Sequence, residues 1–132
     1  MASRRPLTTV TTLILAASFL IVGAWMFLAP HSFYVQVAPI GPYSRHFMHD
    51  AGAFQLGLGV ALVLALFRSD ALLVILTGTA VASWTHVLSH VFDWRQGGHP
   101  LRDVALLTAL SALCTAAAVD TARVEPPSGT PS

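Results

Sequence analysis

Charged side chains are scarce in this sequence, and lysine is absent from it. Charged residues make up 10% of the 132 residues, against roughly 25% in a typical soluble domain. A chain this short has a large surface for its volume, so a soluble fold would need many polar side chains to cover that surface. The composition therefore argues against a soluble domain and predicts a single domain embedded in a membrane.

Cysteine is also scarce, and the motifs of several enzyme classes are missing. The single cysteine, Cys114, excludes an intrachain disulfide. The seven basic residues are scattered arginines and the formal net charge is +1, which argues against a nucleic-acid partner. No Ser-His-Asp or Cys-His triad, nucleotide-binding loop or C-x-x-C pair is visible. The sequence therefore predicts no particular reaction and leaves open whether the protein is an enzyme.

Long apolar runs are what the sequence does have. A membrane-spanning helix needs about 20 mostly apolar residues, and four runs qualify, at about 7–29, 47–67, 71–92 and 100–120. Pro30 ends the first run, Ser69 and Asp70 are good cap residues for the third, and Pro100 suits the first turn of the fourth. We expect a four-transmembrane-helix domain over residues 1–122 and a disordered C-terminal tail over 123–132.

The basic residues also predict an orientation. Arg4 and Arg5 precede the first span, and basic residues close to the first span usually stay in the cytoplasm. Four spans then give an up-and-down, all-α bundle with both termini cytoplasmic. In this topology Trp25, Tyr43 and Trp94 belong to an aromatic belt at the outer membrane surface. Arg45 lies at the same level, where it is placed to bind a lipid phosphate or to pair with Asp50 or Asp93.

Histidines gather at one end of this predicted bundle. All six fall at the outer end, and three aspartates join them: His31, His46, His49, His86, His90, His99, Asp50, Asp93 and Asp103. The third span carries a polar stripe at helical spacing, formed by Thr79, Ser83, His86, His90 and Asp93. A polar stripe is costly against lipid, so we expect it to face the bundle interior.

The second span carries a second polar group at the same level. His46 and Asp50 are four residues apart, and Ala53, Gly57 and Ala61 continue that side of the helix. Small residues let a neighbouring helix come close, so this face is predicted to carry Asp50 inward. Gln55 lies deeper on the second span, and Asp103 lies at the outer end of the fourth. These residues predict a polar pocket near the outer face, between the second, third and fourth spans.

Two hypotheses from different classes follow from the pocket. Histidines at i and i+4 project from one helix face and can chelate one ion, so His86 and His90 with Asp50, His49 and Asp103 predict a site for zinc, iron or copper. Haem held by histidines of two spans is a variant of this hypothesis. His46, Ser83, Thr79, Asp93 and Gln55 would support the pocket. The alternative is a non-catalytic scaffold or assembly partner whose polar side chains only hold helices together.

Two short runs resemble a known family. The run from Pro42 to Ala53 leads into Leu-Gly-Leu-Gly at 56–59, and the third span ends in His-Val-Leu-Ser-His-Val-Phe-Asp at 86–93. Together they resemble small four-helix bacterial membrane proteins of the DoxX-like kind. The resemblance implies a multi-pass protein of the bacterial inner membrane that could serve as a component of a redox complex. The expected partners are the lipid bilayer and either another membrane protein or further copies of the chain.

Overall fold

The computed structural model describes residues 6–123, and these residues are almost entirely helical. Five helices follow one another along this part of the chain: α1 Pro6–Leu28, α2 Pro30–Gln36, α3 Arg45–Ala65, α4 Ser69–Phe92 and α5 Pro100–Ala122. Within the described range the only β-type pairing is an isolated bridge between Ile40 and Gly97. The expected all-α class is therefore confirmed.

Four of these helices are long and apolar enough to cross a membrane: α1, α3, α4 and α5. They correspond to the four predicted spans, and each end lies within about two residues of the prediction. Helices of this length and composition indicate a multi-pass membrane protein. The N-terminal arginines Arg4 and Arg5, and the predicted tail beyond Arg123, lie outside the described residues.

The helix ends differ from the sequence prediction in two places. Pro30 follows the end of the first span and also begins α2. Its missing N–H loses no hydrogen bond there, because the N–H groups of a first helical turn have no partner within the helix. The helix α2 has seven residues and was not predicted. At the other end of the bundle, Arg68 occupies the cap position of α4 without a side-chain cap bond. The predicted role of Asp70 as a cap is therefore wrong; Asp70 lies in the first turn and pairs with Arg68 at 3.4 Å.

Glycines bring α1 and α3 together, and this is the most extensive helix contact among the described residues. A methyl group added at Gly23 would lie 2.8 Å from the backbone nitrogen of Leu56, and one added at Gly52 would lie 2.9 Å from the carbonyl oxygen of Gly23. Further along α3, a methyl group at Gly59 would meet the side chain of Leu20 at 2.7 Å. At Gly23 and Gly52 the two backbones approach so closely that no side chain fits between them, whereas at Gly59 the side chain of Leu20 fills the space.

The core is formed where all four long helices meet. Leu15, Leu62, Leu76 and Cys114, one from each long helix, are at most 1% exposed and belong to one apolar cluster. A second, smaller cluster joins α1, α2 and α3 through Met26, Phe33 and Met48. Beyond the α1–α3 contact, α4 packs mainly on α5, and smaller contacts join α1 to α5 and α3 to α4.

Candidate functional site

His86 and His90 lie together near the C-terminal end of α4. Their Nε2 atoms are 3.2 Å apart and their ring centroids are 5.0 Å apart. The one-turn spacing puts both rings on the same side of the helix. The two Nε2 atoms share a hydrogen bond whose donor depends on the ring tautomers, and His86 is exposed whereas His90 is half-buried. We call these two residues the histidine pair.

Asp50 does not face the bundle interior, and the prediction that it does is wrong. Its side chain is 57% exposed and lies 3.4 Å from His46, whose own side chain is 88% exposed. Ala53 and Gly57, on the same side of α3, are exposed as well, and a methyl group at Gly57 would meet nothing within 4 Å. The side of α3 that packs against another helix is the one carrying the buried Gly52 and Gly59.

Two further predicted ligands have other partners. The ring of His49 lies against Phe27 of α1, with centroids 5.0 Å apart. The carboxylate of Asp103 accepts a hydrogen bond from Nε of Arg102 at 2.9 Å and another from the backbone N–H of His99 at 3.2 Å, and it forms an ion pair with Nη2 of Arg102 at 2.8 Å. These bonds tie Asp103 to the first turn of α5, where a negative charge also interacts favourably with the helix dipole.

The full predicted metal shell is therefore not assembled within one chain. Among residues 6–123 no group of three or more histidine, cysteine, aspartate or glutamate side chains is placed to hold a metal ion. The histidine pair is the part of the predicted set that the structure brings together. The identity of any bound ion stays a prediction.

Deeper polar residues lie beneath the histidine pair on the same stripe. Thr79 is 1% exposed and Ser83 is half-buried, as expected for a stripe that faces the bundle interior. His86 and Asp93 of the same stripe are exposed, so the prediction is wrong for that end of the helix. Oγ1 of Thr79 and Oε1 of Gln55 are buried without a hydrogen-bond partner in the described part of the chain. At the C-terminal end of the stripe, Asp93 accepts a hydrogen bond from the side chain of Gln96 at 2.6 Å.

The loop between α2 and α3 and the loop between α4 and α5 are joined beside these residues. Ile40 pairs with Gly97, and Nη2 of Arg102 donates to the carbonyl oxygen of Val37 at 3.0 Å. Gly97 has a φ of 116°, which side chains rarely adopt, and a methyl group there would lie 2.8 Å from the carbonyl oxygen of Pro39. Arg102 therefore connects α5 to the chain that follows α2, and this arrangement joins the two loops at the histidine end of the bundle.

A polar contact at the opposite end of the bundle was not predicted from the sequence. Oγ1 of Thr8, near the start of α1, donates a hydrogen bond to Oδ2 of Asp120, near the end of α5. Thr8 is 5% exposed, and the neighbouring Thr11 and Thr12 are buried as well. A signal was available, because in an up-and-down bundle of four spans the start of the first lies level with the end of the fourth.

No protein-family model, curated protein or solved structure matches the chain. Functional arguments about this protein therefore rest on its own residues and their geometry.

Proposed function

We propose that this chain is a multi-pass protein of a bacterial plasma membrane that binds a transition-metal ion through the histidine pair. The supporting observation is the 3.2 Å separation of the two Nε2 atoms. Two nitrogens that each lie 2.0–2.1 Å from one tetrahedral ion are about 3.3–3.4 Å apart. The separation in the pair is therefore close to the one that chelation requires, and an ion such as zinc or copper, both of which suit imidazole ligands, would replace the hydrogen bond between the two rings.

In this proposal, water or a small ligand completes the coordination shell. Asp50, His49 and Asp103 each have a different partner, so using any of them would break an existing contact. An ion held by only two protein ligands keeps open positions, and open positions are what distinguish binding or catalytic metal sites from closed structural ones. A role within a larger redox complex, as the DoxX-like resemblance implies, is compatible with such a site.

The proposal also places the pair on the outer side of an up-and-down bundle with cytoplasmic termini. Two sets of contacts support an antiparallel arrangement of neighbouring helices. Thr8 at the start of α1 meets Asp120 at the end of α5. Along α1 and α3 the contacts run in opposite directions, since Gly23 meets Gly52 whereas the earlier Leu20 meets the later Gly59.

Metal binding by purified protein tests the proposal. We expect about one zinc or copper ion per chain in mild detergent, measured by equilibrium dialysis and elemental analysis. His86→Ala and His90→Ala should each weaken binding at least about tenfold, because one nitrogen cannot chelate. His99→Ala is the matched control, because it removes an outer-end histidine that lies outside the pair. Absence of bound metal in the wild type, or equal loss in the control, would contradict the proposal.

A scaffold role is the second candidate, and specific contacts favour it. Several polar groups of the long helices are already bonded within the chain, such as Trp84 Nε1 with Thr115 Oγ1 at 3.1 Å and Thr8 with Asp120. Hydrogen bonds of this kind hold helices together and need no catalytic or ligand-binding role. The scaffold is favoured if the wild type binds no metal while His86→Ala and His90→Ala only lower the thermal stability.

A further inference from the structure

We propose that a groove at the outer end of α1 and α3 binds the phosphate of an anionic phospholipid. The groove has a volume of about 500 Å³ and is lined by Ala29, Pro30, His31, Ser32, Tyr43 and Arg45. No acidic side chain is among these residues. We call it the Arg45 groove. It shares no residue with the histidine pair, and lipid binding there does not depend on the proposed metal site.

Arg45 supplies the charge that an anion needs. Its side chain forms no ion pair or hydrogen bond with another described residue, so neither pairing predicted for it, with Asp50 or with Asp93, is formed. A guanidinium presents five N–H donors in a planar fork that fits phosphate oxygens. Arg45 is also the first residue of α3, where the helix dipole favours a negative charge.

Ser32 is prepared to donate into the groove. Its Oγ accepts hydrogen bonds from Nε1 of Trp25 at 3.3 Å and from Nε2 of Gln36 at 2.9 Å. A hydroxyl has two acceptor lone pairs and one hydrogen. With both lone pairs engaged, the remaining capacity of Ser32 is donation, and donation requires an acceptor such as a phosphate oxygen.

Aromatic contacts hold two of the rings that line the groove. The ring of Tyr43 lies edge-on to His31, with centroids 5.2 Å apart, and 5.3 Å from the ring of Tyr34. The hydroxyl of Tyr34 donates to the carbonyl oxygen of Gly41 at 2.6 Å, which anchors this aromatic group to the loop. Tyr43 and His31 therefore present further donors beside Arg45.

The position of the groove favours a lipid over a free anion. It lies between the end of one candidate span and the start of the next, since Ala29 follows α1 and Arg45 begins α3. The apolar side chains beside it are exposed: Leu28 is 80% exposed and Phe47 is 63% exposed. A phosphate in the groove would thus have surface for its acyl chains directly alongside, and basic sites at this level are known binding places for lipid head groups.

Native mass spectrometry of the full-length protein, supplied with phosphatidylglycerol or phosphatidylcholine in detergent, tests this inference. We expect the wild type to retain phosphatidylglycerol in preference to phosphatidylcholine. Arg45→Gln should weaken that retention about tenfold, since a charge-assisted phosphate contact is lost. Arg95→Gln is the matched control: it makes the same charge change in the other outer loop, and it should retain the lipid as the wild type does.

Two additions keep the test decisive. If Arg45→Gln does not fold, Ser32→Ala and Arg45→Lys should each reduce phosphatidylglycerol retention by a smaller factor, since each leaves a positive charge in the groove. Inorganic phosphate alone is titrated as a competitor. Equal retention of both lipids, an equal loss in Arg95→Gln, or binding of inorganic phosphate with no preference for phosphatidylglycerol would overturn the inference.

Discussion

Helices α1 and α3 touch backbone to backbone, whereas α4 and α5 are joined through side chains that leave a groove between them. The first contact depends on Gly23 and Gly52, where an added methyl group would lie within 3 Å of main-chain atoms of the other helix. The second includes an indole-to-hydroxyl bond from Trp84 to Thr115 and borders a groove of about 540 Å³ lined mostly by apolar side chains.

The difference shows two ways of holding helices together without a hydrophobic driving force between them. Lipid tails are as apolar as leucine, so association inside a membrane depends on close packing and on interhelical hydrogen bonds. The α1–α3 contact relies on packing and tolerates no added volume. The α4–α5 contact includes polar bonds and leaves a groove beside them. It should therefore tolerate substitutions better than the α1–α3 contact does.

Gly23→Ala should have the largest effect, because it attacks the backbone contact. The new methyl group would meet the backbone nitrogen of Leu56 at 2.8 Å, and the helices would have to separate. We expect a loss of about 2–3 kcal/mol in the free energy of unfolding, the upper range for overpacked cores. Thermal or denaturant unfolding in detergent, followed by circular dichroism, measures it.

Gly57→Ala is the matched control on the same pair of helices. A methyl group there would meet nothing within 4 Å, and alanine has a higher helix propensity than glycine by up to about 1 kcal/mol. This variant should be as stable as the wild type or more so. If Gly23→Ala and Gly57→Ala behave alike, the close backbone contact between α1 and α3 is refuted.

Thr8→Val should have an intermediate effect, because it removes the bond that joins α1 to α5 at the end away from the histidines. Thr8 is buried and its hydroxyl donates to the carboxylate of Asp120. Hydrogen bonds to charged groups contribute about 1.5–3 kcal/mol, and Asp120 has a further interaction, so we expect a loss of about 1–2 kcal/mol. Thr9→Val makes the same change at a half-buried neighbour and should be nearly neutral in the same unfolding measurement.

Trp84→Phe should have the smallest effect. It removes the N–H that reaches Thr115 on α5, but Thr115 keeps its own bond to the carbonyl oxygen of Ser111 at 2.8 Å. Side-chain bonds between membrane helices average about 0.6 kcal/mol. A double-mutant cycle with Thr115→Val measures the coupling energy between the two side chains directly. A coupling energy larger than the loss of unfolding free energy in Gly23→Ala would reverse the contrast between the two helix pairs.

The sequence predicted the spans well because apolar length is a property of the chain alone. Runs of about 20 apolar residues became α1, α3, α4 and α5 with little change at their ends. The short helix α2 was missed because Pro30 was interpreted only as a stop signal, although proline also fits the first position of a new helix. The residues around Pro30 permit either a loop or a new helix. The packing of Phe33 against Met26 and Met48 stabilises the helix.

The candidate site was predicted only as far as one helix could determine it. His86 and His90 meet because the one-turn spacing fixes both on one side of α4. Asp50 was misplaced because α3 carries two sets of small residues, and periodicity cannot tell which set meets protein and which meets lipid. Gly52 and Gly59 meet α1, so Asp50 and Gly57 turn to the surface. The sequence allows Asp103 to be a metal ligand or a residue of the first helical turn. In the structure Arg102 and the backbone of His99 donate to its carboxylate.

The complete burial of Cys114 makes this chain convenient for mapping its own sidedness. The thiol is 0% exposed and lies 3.3 Å from the carbonyl oxygen of Leu76 in the centre of the bundle. A bulky, membrane-impermeant maleimide should therefore leave the native protein unlabelled while it is folded. A cysteine introduced in a loop, as in Gln96→Cys, would then be the single reactive position, and labelling of intact cells would show which face of the membrane carries the histidines.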